Sequence, residues 1–390
     1  MMRTVLLLCA LAGAARAQRL DPEYNLLPWT PGVMEIHQIS TGRGNAAFFI
    51  LPDGTTLLVD AGAAPDGMAE TDPHPNASRR PGEWIARYIR RHLPEGIKRL
   101  DYVVITTLRE DHMGGLMDVA GDLPVGAVID RGWPDYSYPA PDAALAGYRR
   151  FLEGKRGDGV AVGRFIPGSG TQLHLVHRPA GYPTFEIRNI VGNGELWTGE
   201  GEGVRALFPP LDKLAREEWP AEDMCSLGIR LTYGRFRYFT GGDLPGEAGP
   251  GYPAWQAMEA AVGPVVGRVD AHAVNRHGAI GEESGAFLTA LQSRVLIVPS
   301  WAPGHPAPDT LKRVMESRLP PDSRLVFATD LRPSARLVIG ERAGRLAAPP
   351  GHIVLRVADG GESYRVYVLG ASDEEDRVLA MRGPFRAQSQ

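Results

Sequence analysis

The feature that most constrains the fold is a repeated order in which a β-hairpin is followed by alternating helices and strands. Residues 45–51 and 55–60 are mostly apolar and flank a Pro-Asp-Gly turn, which predicts a hairpin. A second predicted hairpin occupies residues 226–242. Mixed strands and helices in two similar halves favour a layered α/β fold, with two packed sheets and helices outside.

The remaining predicted elements follow from hydrophobic periodicity and from the Gly and Pro residues that bound it. Pro81 and Pro94 bracket one amphipathic helix, as is typical of helix ends. Helices are predicted at residues 81–93, 142–153, 253–262, 283–291 and 309–318, and strands at residues 33–39, 101–106, 124–130, 269–274, 294–299 and 324–328.

Two regions are interpreted separately from the alternating helices and strands. Residues 154–220 are rich in Gly and Pro, contain short strand candidates, and are expected to form an elaborated loop region and not a separate domain. Residues 352–357 and 363–369 predict a terminal hairpin, with the last dozen residues as a tail. We therefore expect one domain over residues 18–345 and an appended hairpin and tail over residues 346–390.

Residues 1–17 are predicted to be a secretory signal peptide. Arg3 gives a basic start, residues 4–15 are apolar, and Ala15-Arg16-Ala17 fits a cleavage site. The apolar run is shorter than the roughly 20 residues that a spanning helix needs. We expect an exported protein, periplasmic or extracellular, with no membrane anchor after cleavage.

The net charge bears on nucleic-acid binding, and the cysteine content bears on disulfide formation. The formal net charge is -4, and loss of Arg3 and Arg16 changes it to -6 (-4 minus 2). Because no Lys/Arg cluster interrupts this balance, there is no strong signal for nucleic-acid binding. Only Cys225 remains after cleavage, so no intrachain disulfide is expected. The oligomeric state is left open.

Acidic and imidazole side chains follow several predicted strands. Taken singly, an Asp before Gly is common in turns, and a lone His is most often an ordinary polar residue. Their recurrence at widely spaced strand ends favours a shared site on loops held by the sheets. The residues are Asp60, Asp111, His112, Asp243 and His277.

These stretches resemble the metallo-β-lactamase superfamily, and within it the hydrolase domain of the competence DNA-uptake channel (ComEC type). The resemblance extends from about Gly42 to Arg318 and rests on the segments GRGNAAFFILPDGTTLLVDAG, VVITTLREDHMGG, SLGIRLTYGRFRYFTGGD, VDAHAVNRHG and GHPAPDTL. It implies a four-layer αββα sandwich, with residues 346–390 as a strand-pair extension.

The resemblance also implies metal ligands. In the superfamily motif His-x-His-x-Asp-His, the last two ligands align with Asp111 and His112, and Asp243 falls on the carboxylate position that bridges two metals. His277 aligns with one imidazole of a His-His-Gly motif. Two carboxylates and two imidazoles can complete a four-coordinate zinc site. The resemblance therefore implies one zinc ion, or none.

The chain departs from the motif at its first two ligands, where it has Thr107 and Arg109. Threonine is a poor ligand, and arginine, which stays protonated, cannot be one. Arg276 replaces the other imidazole of the His-His pair. Asp60 matches a position that supports the loop, and His305 matches a recurrent polar position at the cleft.

These departures suggest roles for the arginines. We hypothesise that Arg109 supplies the charge of the missing metal and holds the free oxygen of Asp243, acting in catalysis with Asp111. Arg276 could reach an anionic substrate group. Alternatively, both arginines are exposed and pair with Glu110 or other nearby acids, where such pairs contribute roughly 0–1 kcal/mol.

The sequence is compatible with two functions from different classes. One is a secreted hydrolase with at most one zinc ion, acting on a small-molecule or phosphoester substrate. The other is a non-catalytic binding protein that reuses the same cleft. Fold resemblance alone does not choose between them, because one scaffold hosts many functions.

Overall fold

The computed structural model describes residues 26–136, 144–249, 251–317 and 324–388. The predicted signal peptide lies outside the described residues, as do the predicted helix ends at Asp142 and Arg318. Within the described part of the chain, no helix combines the length and apolar character needed to cross a membrane.

Seventeen strands lie in the described residues. They are β1 (Met34–Gln38), β2 (Ala47–Ile50), β3 (Thr56–Val59), β4 (Leu100–Val104), β5 (Val125–Asp130), β6 (Ala161–Arg164), β7 (Phe185–Gly192), β8 (Glu195–Trp197), β9 (Val204–Ala206), β10 (Gly228–Tyr233), β11 (Phe236–Thr240), β12 (Ala271–Ala273), β13 (Val295–Val298), β14 (Leu325–Ala328), β15 (His352–Val357), β16 (Ser363–Leu369) and β17 (Val378–Arg386).

Eight α-helices accompany them in the described residues, together with several short 3-10 turns. They are α1 (Pro81–His92), α2 (Glu110–Met113), α3 (Leu116–Asp122), α4 (Ala144–Gly157), α5 (Met258–Val266), α6 (Gly285–Leu291), α7 (Pro308–Glu316) and α8 (Pro333–Ile339). The two predicted hairpins and the predicted helices are confirmed within a few residues. Helix α8 and the two short helices α2 and α3 were not predicted.

The strands form two mixed sheets. The first has the order β17-β16-β15-β1-β2-β3-β4-β5-β6, and the second has the order β14-β13-β12-β11-β10-β7-β8-β9. In each sheet an antiparallel hairpin (β2 with β3, β10 with β11) continues into parallel strands. The repeated order seen in the sequence therefore corresponds to two sheets built on one plan.

The sheets pack face to face and carry helices on their outer faces. Buried side chains of both sheets share the main core, among them Phe49, Leu57, Leu231, Tyr238 and Ile297. Helices α1, α3 and α4 cover the first sheet, and helices α5 to α8 cover the second. The predicted four-layer αββα sandwich is confirmed.

The interpretation of residues 154–220 as a loop region is wrong. This segment supplies β6 to the first sheet, and it supplies β7, β8 and β9 to the second. Strand β7 is eight residues long and pairs along its length with β10. The pairing partner of β7 lies far along the chain, so the local Gly and Pro content did not reveal that β7 is a strand.

The C-terminal segment is part of the first sheet, and its end is not a tail. Strand β15 pairs antiparallel with β1 in the sheet interior, and Ile353 and Leu355 are fully buried in the main core. Residues 378–386, expected to be a tail, form the edge strand β17 against β16. The predicted hairpin is confirmed, but it extends the first sheet, which carries Asp60, Asp111 and His112.

Candidate metal centre

The predicted site residues lie at one edge of the sandwich, where the loops after several strands meet. Asp60 directly follows β3, and Asp111 and His112 lie in α2, after β4. Asp243 follows β11, and His277 lies in the turn after β12. Ligand atoms of Asp111, His112 and His277 all lie within 4.8 Å of one another. Parallel strands that end at the same edge explain this convergence.

Asp60 fixes the ring of His112. Its Oδ2 lies 2.7 Å from His112 Nδ1, and the carboxylate also accepts hydrogen bonds from Thr106 N and Oγ1 and from Asn45 Nδ2. Because a carboxylate only accepts, we assign the proton of His112 to Nδ1. The other nitrogen, Nε2, is then available as a ligand.

His277 is held in the same way. Its Nδ1 donates to the carbonyl oxygen of Pro299 at 2.9 Å. Its Nε2 lies 3.2 Å from Asp111 Oδ2 and 3.7 Å from Asp243 Oδ1. A carbonyl or carboxylate behind the ring is the usual support of a metal-ligating histidine.

Two buried atoms at the centre of this group have no hydrogen bond within the described residues. His112 Nε2 and Asp243 Oδ1 lie 3.0 Å apart, yet neither makes a bond of acceptable geometry there. Buried polar atoms are nearly always satisfied, and an ion is one way to satisfy both. Two imidazoles and two carboxylates fit a zinc or similar first-row metal ion.

The charges of the cluster favour a cation at this point. Burial opposes protonation of His112, but the carboxylates of Asp243, Asp60 and Asp111 outweigh it and hold its pKa well above the ordinary value. Burial also opposes ionisation of Asp111 and Asp243, but the neighbouring His112 and His277 hold both pKa values below the ordinary range.

The backbone at the site adopts unusual conformations. Asp60, Arg276 and His277 have φ values of 63°, 48° and 57°, which is uncommon for residues with a Cβ atom. Such strain clusters at functional sites. Gly62 is required for a different reason, because a Cβ atom there would lie 2.0 Å from the carbonyl oxygen of Asp111.

Arg109 does not make the hydrogen bond that we hypothesised. Contrary to that expectation, its Nε donates to Asp223 and not to Asp243. Arg276 Nε lies 3.3 Å from the other oxygen of Asp223. The alternative, in which both arginines pair with a nearby acid, is the arrangement found, although the acid is largely buried.

Thr107 faces a second ion pair. Its hydroxyl lies 3.4 Å from Glu222 Oε1, which also accepts from Leu108 N at 2.8 Å. Arg131 bonds both oxygens of Glu222, at 2.8 and 2.6 Å. Protein side chains thus occupy the space beside Thr107.

His305 packs against the cluster without joining it. Its ring stacks on His277 with a centroid separation of 4.8 Å. Burial, with the nearby charge of His277, lowers the pKa of His305 to about 3, so its imidazole is neutral at pH 7.

Sequence reasoning missed the acids that anchor the arginines. Glu222 and Asp223 form a 3-10 turn before β10, and neither follows a strand. Arg131 directly follows Asp130 at the end of β5, so the strand-end rule that located Asp60 would have drawn attention to it.

A family model matches part of the chain. The model of the metallo-beta-lactamase superfamily matches residues 40–211, which are 172 of the 390 residues. The matched segment contains Asp60 and residues 107–112, whereas Asp243 and His277 lie beyond it. The superfamily is metal-dependent, consistent with the possible Asp/His metal site. No curated protein matches the chain.

Several solved structures are similar in part. CmlA, a diiron beta-hydroxylase from Streptomyces venezuelae, is 15% identical, with 74% of this chain and 51% of CmlA covered and a TM-score of 0.38. Igni18, a metallo hydrolase from Ignicoccus hospitalis, is 12% identical, with coverages of 76% and 95% and a TM-score of 0.37. MEM-A1, a subclass B3 metallo-beta-lactamase from a soil metagenome library, is 13% identical, with coverages of 75% and 85% and a TM-score of 0.32. This chain spans about half the length of CmlA.

Proposed function

We propose that the protein is an exported hydrolase that holds one divalent metal ion, with zinc as the first candidate, and cleaves phosphoesters. The ligands are Asp111, His112, Asp243 and His277. The observation that carries the proposal is the convergence of two imidazole Nε2 atoms on two carboxylates, with both Nδ1 atoms engaged behind the rings. The likeness to the ComEC-type branch supports the choice of phosphoesters among small-molecule substrates.

Different residues of the chain have different roles in the proposed reaction. Asp60 and the Pro299 carbonyl hold the rings of His112 and His277. The two rings therefore need little reorientation when a metal ion binds. A divalent ion bound there would supply Lewis-acid chemistry, polarising a phosphoryl oxygen and making water a better nucleophile near neutral pH. Asp111 is 18% exposed, against 4% for Asp243, so it is the carboxylate placed to accept a proton from water.

A non-catalytic binding protein is the second candidate. The Arg131–Glu222 pair beside Thr107 favours it, because the carboxylate next to this position is paired with an arginine. A single ion with two anionic ligands is also a weaker activator of water than one with neutral ligands.

A hydrolysis assay distinguishes the two candidates. The purified protein, loaded separately with zinc, manganese or iron, is given phosphomonoester, phosphodiester and lactam substrates. We expect phosphoester turnover that falls at least about 100-fold in Asp111→Asn, because the variant lacks both the proton acceptor and an anionic metal ligand. Asp212→Asn, a change at an exposed aspartate of a 3-10 turn, serves as the matched control. Metal binding without turnover of any substrate would favour the binding protein.

A further inference from the structure

One carboxylate aligns two arginines at the rim of the candidate metal site. Arg109 Nε donates to Oδ1 of Asp223, and Arg276 Nε lies 3.3 Å from Oδ2. The Asp223 side chain is 8% exposed, whereas those of Arg109 and Arg276 are 45% and 42% exposed. The acid is therefore fixed in the protein, and the two guanidinium groups extend from it toward solvent.

This geometry leaves most donors of both guanidinium groups available. A guanidinium carries five N–H groups in one plane, and each arginine uses its Nε–H toward Asp223. Within the described residues, the terminal nitrogens of Arg109 make no hydrogen bond. Arg276 Nη1 lies 3.6 Å from Glu282 Oε1, which is longer than a hydrogen bond.

Asp223 is the acid that both arginines contact. Burial, reinforced by Glu259, raises the pKa of Glu282 to about 10, so this acid is neutral at pH 7. The charge of Arg109 also interacts with Asp243 and Asp111, which places it at the same cleft as the candidate metal ligands. Two guanidinium groups therefore contact a single carboxylate at the rim, beside the candidate metal ligands.

We infer that Arg109 and Arg276 form a fork that binds the phosphoryl group of the substrate, with Asp223 as the residue that positions them. Planar guanidinium groups suit paired hydrogen bonds to phosphoryl oxygens. A phosphomonoester or inorganic phosphate has at least three non-bridging oxygens that can accept from both forks, whereas a carboxylate has two. The inference deepens the proposed function and rests on it for the substrate class, but it concerns binding alone.

Calorimetric titration with inorganic phosphate tests the fork on the full mature chain. The protein is first freed of metal with a chelator, since a bound ion would itself hold phosphate. We expect the native protein to bind phosphate, and the double variant Arg109→Gln/Arg276→Gln to bind at least about tenfold more weakly, because charged hydrogen bonds are lost. Arg342→Gln removes a partly exposed arginine, paired with Glu316 on another face, and should bind like the native protein.

A lysine double variant separates geometry from charge. Arg109→Lys/Arg276→Lys keeps both charges and has the better prospect of folding, but it lacks the Nε–H and the planar fork. The fork predicts that this variant also loses most of its phosphate affinity. Retention of native affinity in either double variant, or absence of phosphate binding by the native protein, would overturn the inference. Tighter binding of acetate than of phosphate would overturn the phosphoryl assignment.

The outcome is independent of the outcome for the proposed function. Phosphate binding that depends on the arginines supports the fork even if no substrate is hydrolysed. Hydrolysis with a KM unchanged in the glutamine variant would reject the fork and leave the metal-dependent hydrolase in place.

Discussion

At the scale of single residues, the Asp60 carboxylate receives hydrogen bonds from His112, Thr106 and Asn45 and is fully buried. It directs His112 Nε2 toward Asp243 without itself facing the cleft. Its positive φ lets the chain leave β3 and place the carboxylate under the loop after β4. A residue of this kind affects metal affinity through the ligand that it holds.

Removal of the Asp60 side chain tests this role. We expect Asp60→Ala to lower metal affinity about 10- to 100-fold, the range found when the support of a ligating histidine is lost. The affinity is measured by competition with a chelator of known strength.

Asp101→Ala is the matched control for Asp60→Ala. Asp101 is also buried and accepts from Thr56 N at 2.9 Å, but it lies at the opposite end of its strand from the site. Both variants should be destabilised, and only Asp60→Ala should bind metal more weakly. Equal metal affinity in the two variants would contradict the assigned role.

At the scale of elements, strand β15 joins the C-terminal segment to the rest of the protein. It lies between β1 and β16, and its inward side chains belong to the core shared by both sheets. The segment should therefore unfold together with the first sheet and not as a separate extension.

A pair of leucine variants tests whether β15 is integral to the domain. Leu355→Ala, in β15, removes a fully buried side chain and should lower the free energy of unfolding by about 2–5 kcal/mol. Leu379→Ala, in β17, changes a side chain that is 49% exposed and should stay within about 0.5 kcal/mol of the native value. Urea unfolding measures both, and a native-like Leu355→Ala would show that β15 is not integral to the domain.

Strand β15 also begins with a titratable group that couples stability to pH. Burial lowers the pKa of His352 to about 3 from an ordinary value of 6.5, and its Nδ1 accepts from Ser40 N at 3.0 Å. The unfolded chain therefore binds a proton at higher pH than the folded protein does. Stability contributed by neutral His352 is present above pH 6.5 and is lost as the pH falls toward 3.

The variant His352→Asn keeps an acceptor for Ser40 and removes this titration. Between pH 6.5 and pH 4, the native free energy of unfolding should fall more steeply than that of the variant, by up to about 1.4 kcal/mol per pH unit. Urea unfolding at a series of pH values gives both slopes. Parallel slopes would show that His352 is not the group responsible.

At the scale of the whole molecule, the repeated hairpin pattern was sufficient to predict the layers, because each hairpin is local in sequence. Strand β7 was not predictable in this way, since its partner β10 begins about 40 residues further on and the intervening chain is rich in Gly and Pro. The candidate site residues followed from their positions at strand ends, and their assignment as metal ligands followed from the family resemblance. Asp223 did not, because it precedes a strand and its role depends on two arginines that are distant in sequence.

The central claim is that one half of the metal motif remains a metal site while arginines and acids occupy the other half. The most direct measurement is metal content, by mass spectrometry, of the purified mature protein after zinc loading and removal of free ion. We predict about one zinc per native chain and a large loss in Asp111→Ala, with Asp212→Ala unchanged. No bound metal in the native protein, or two ions per chain, would contradict the account.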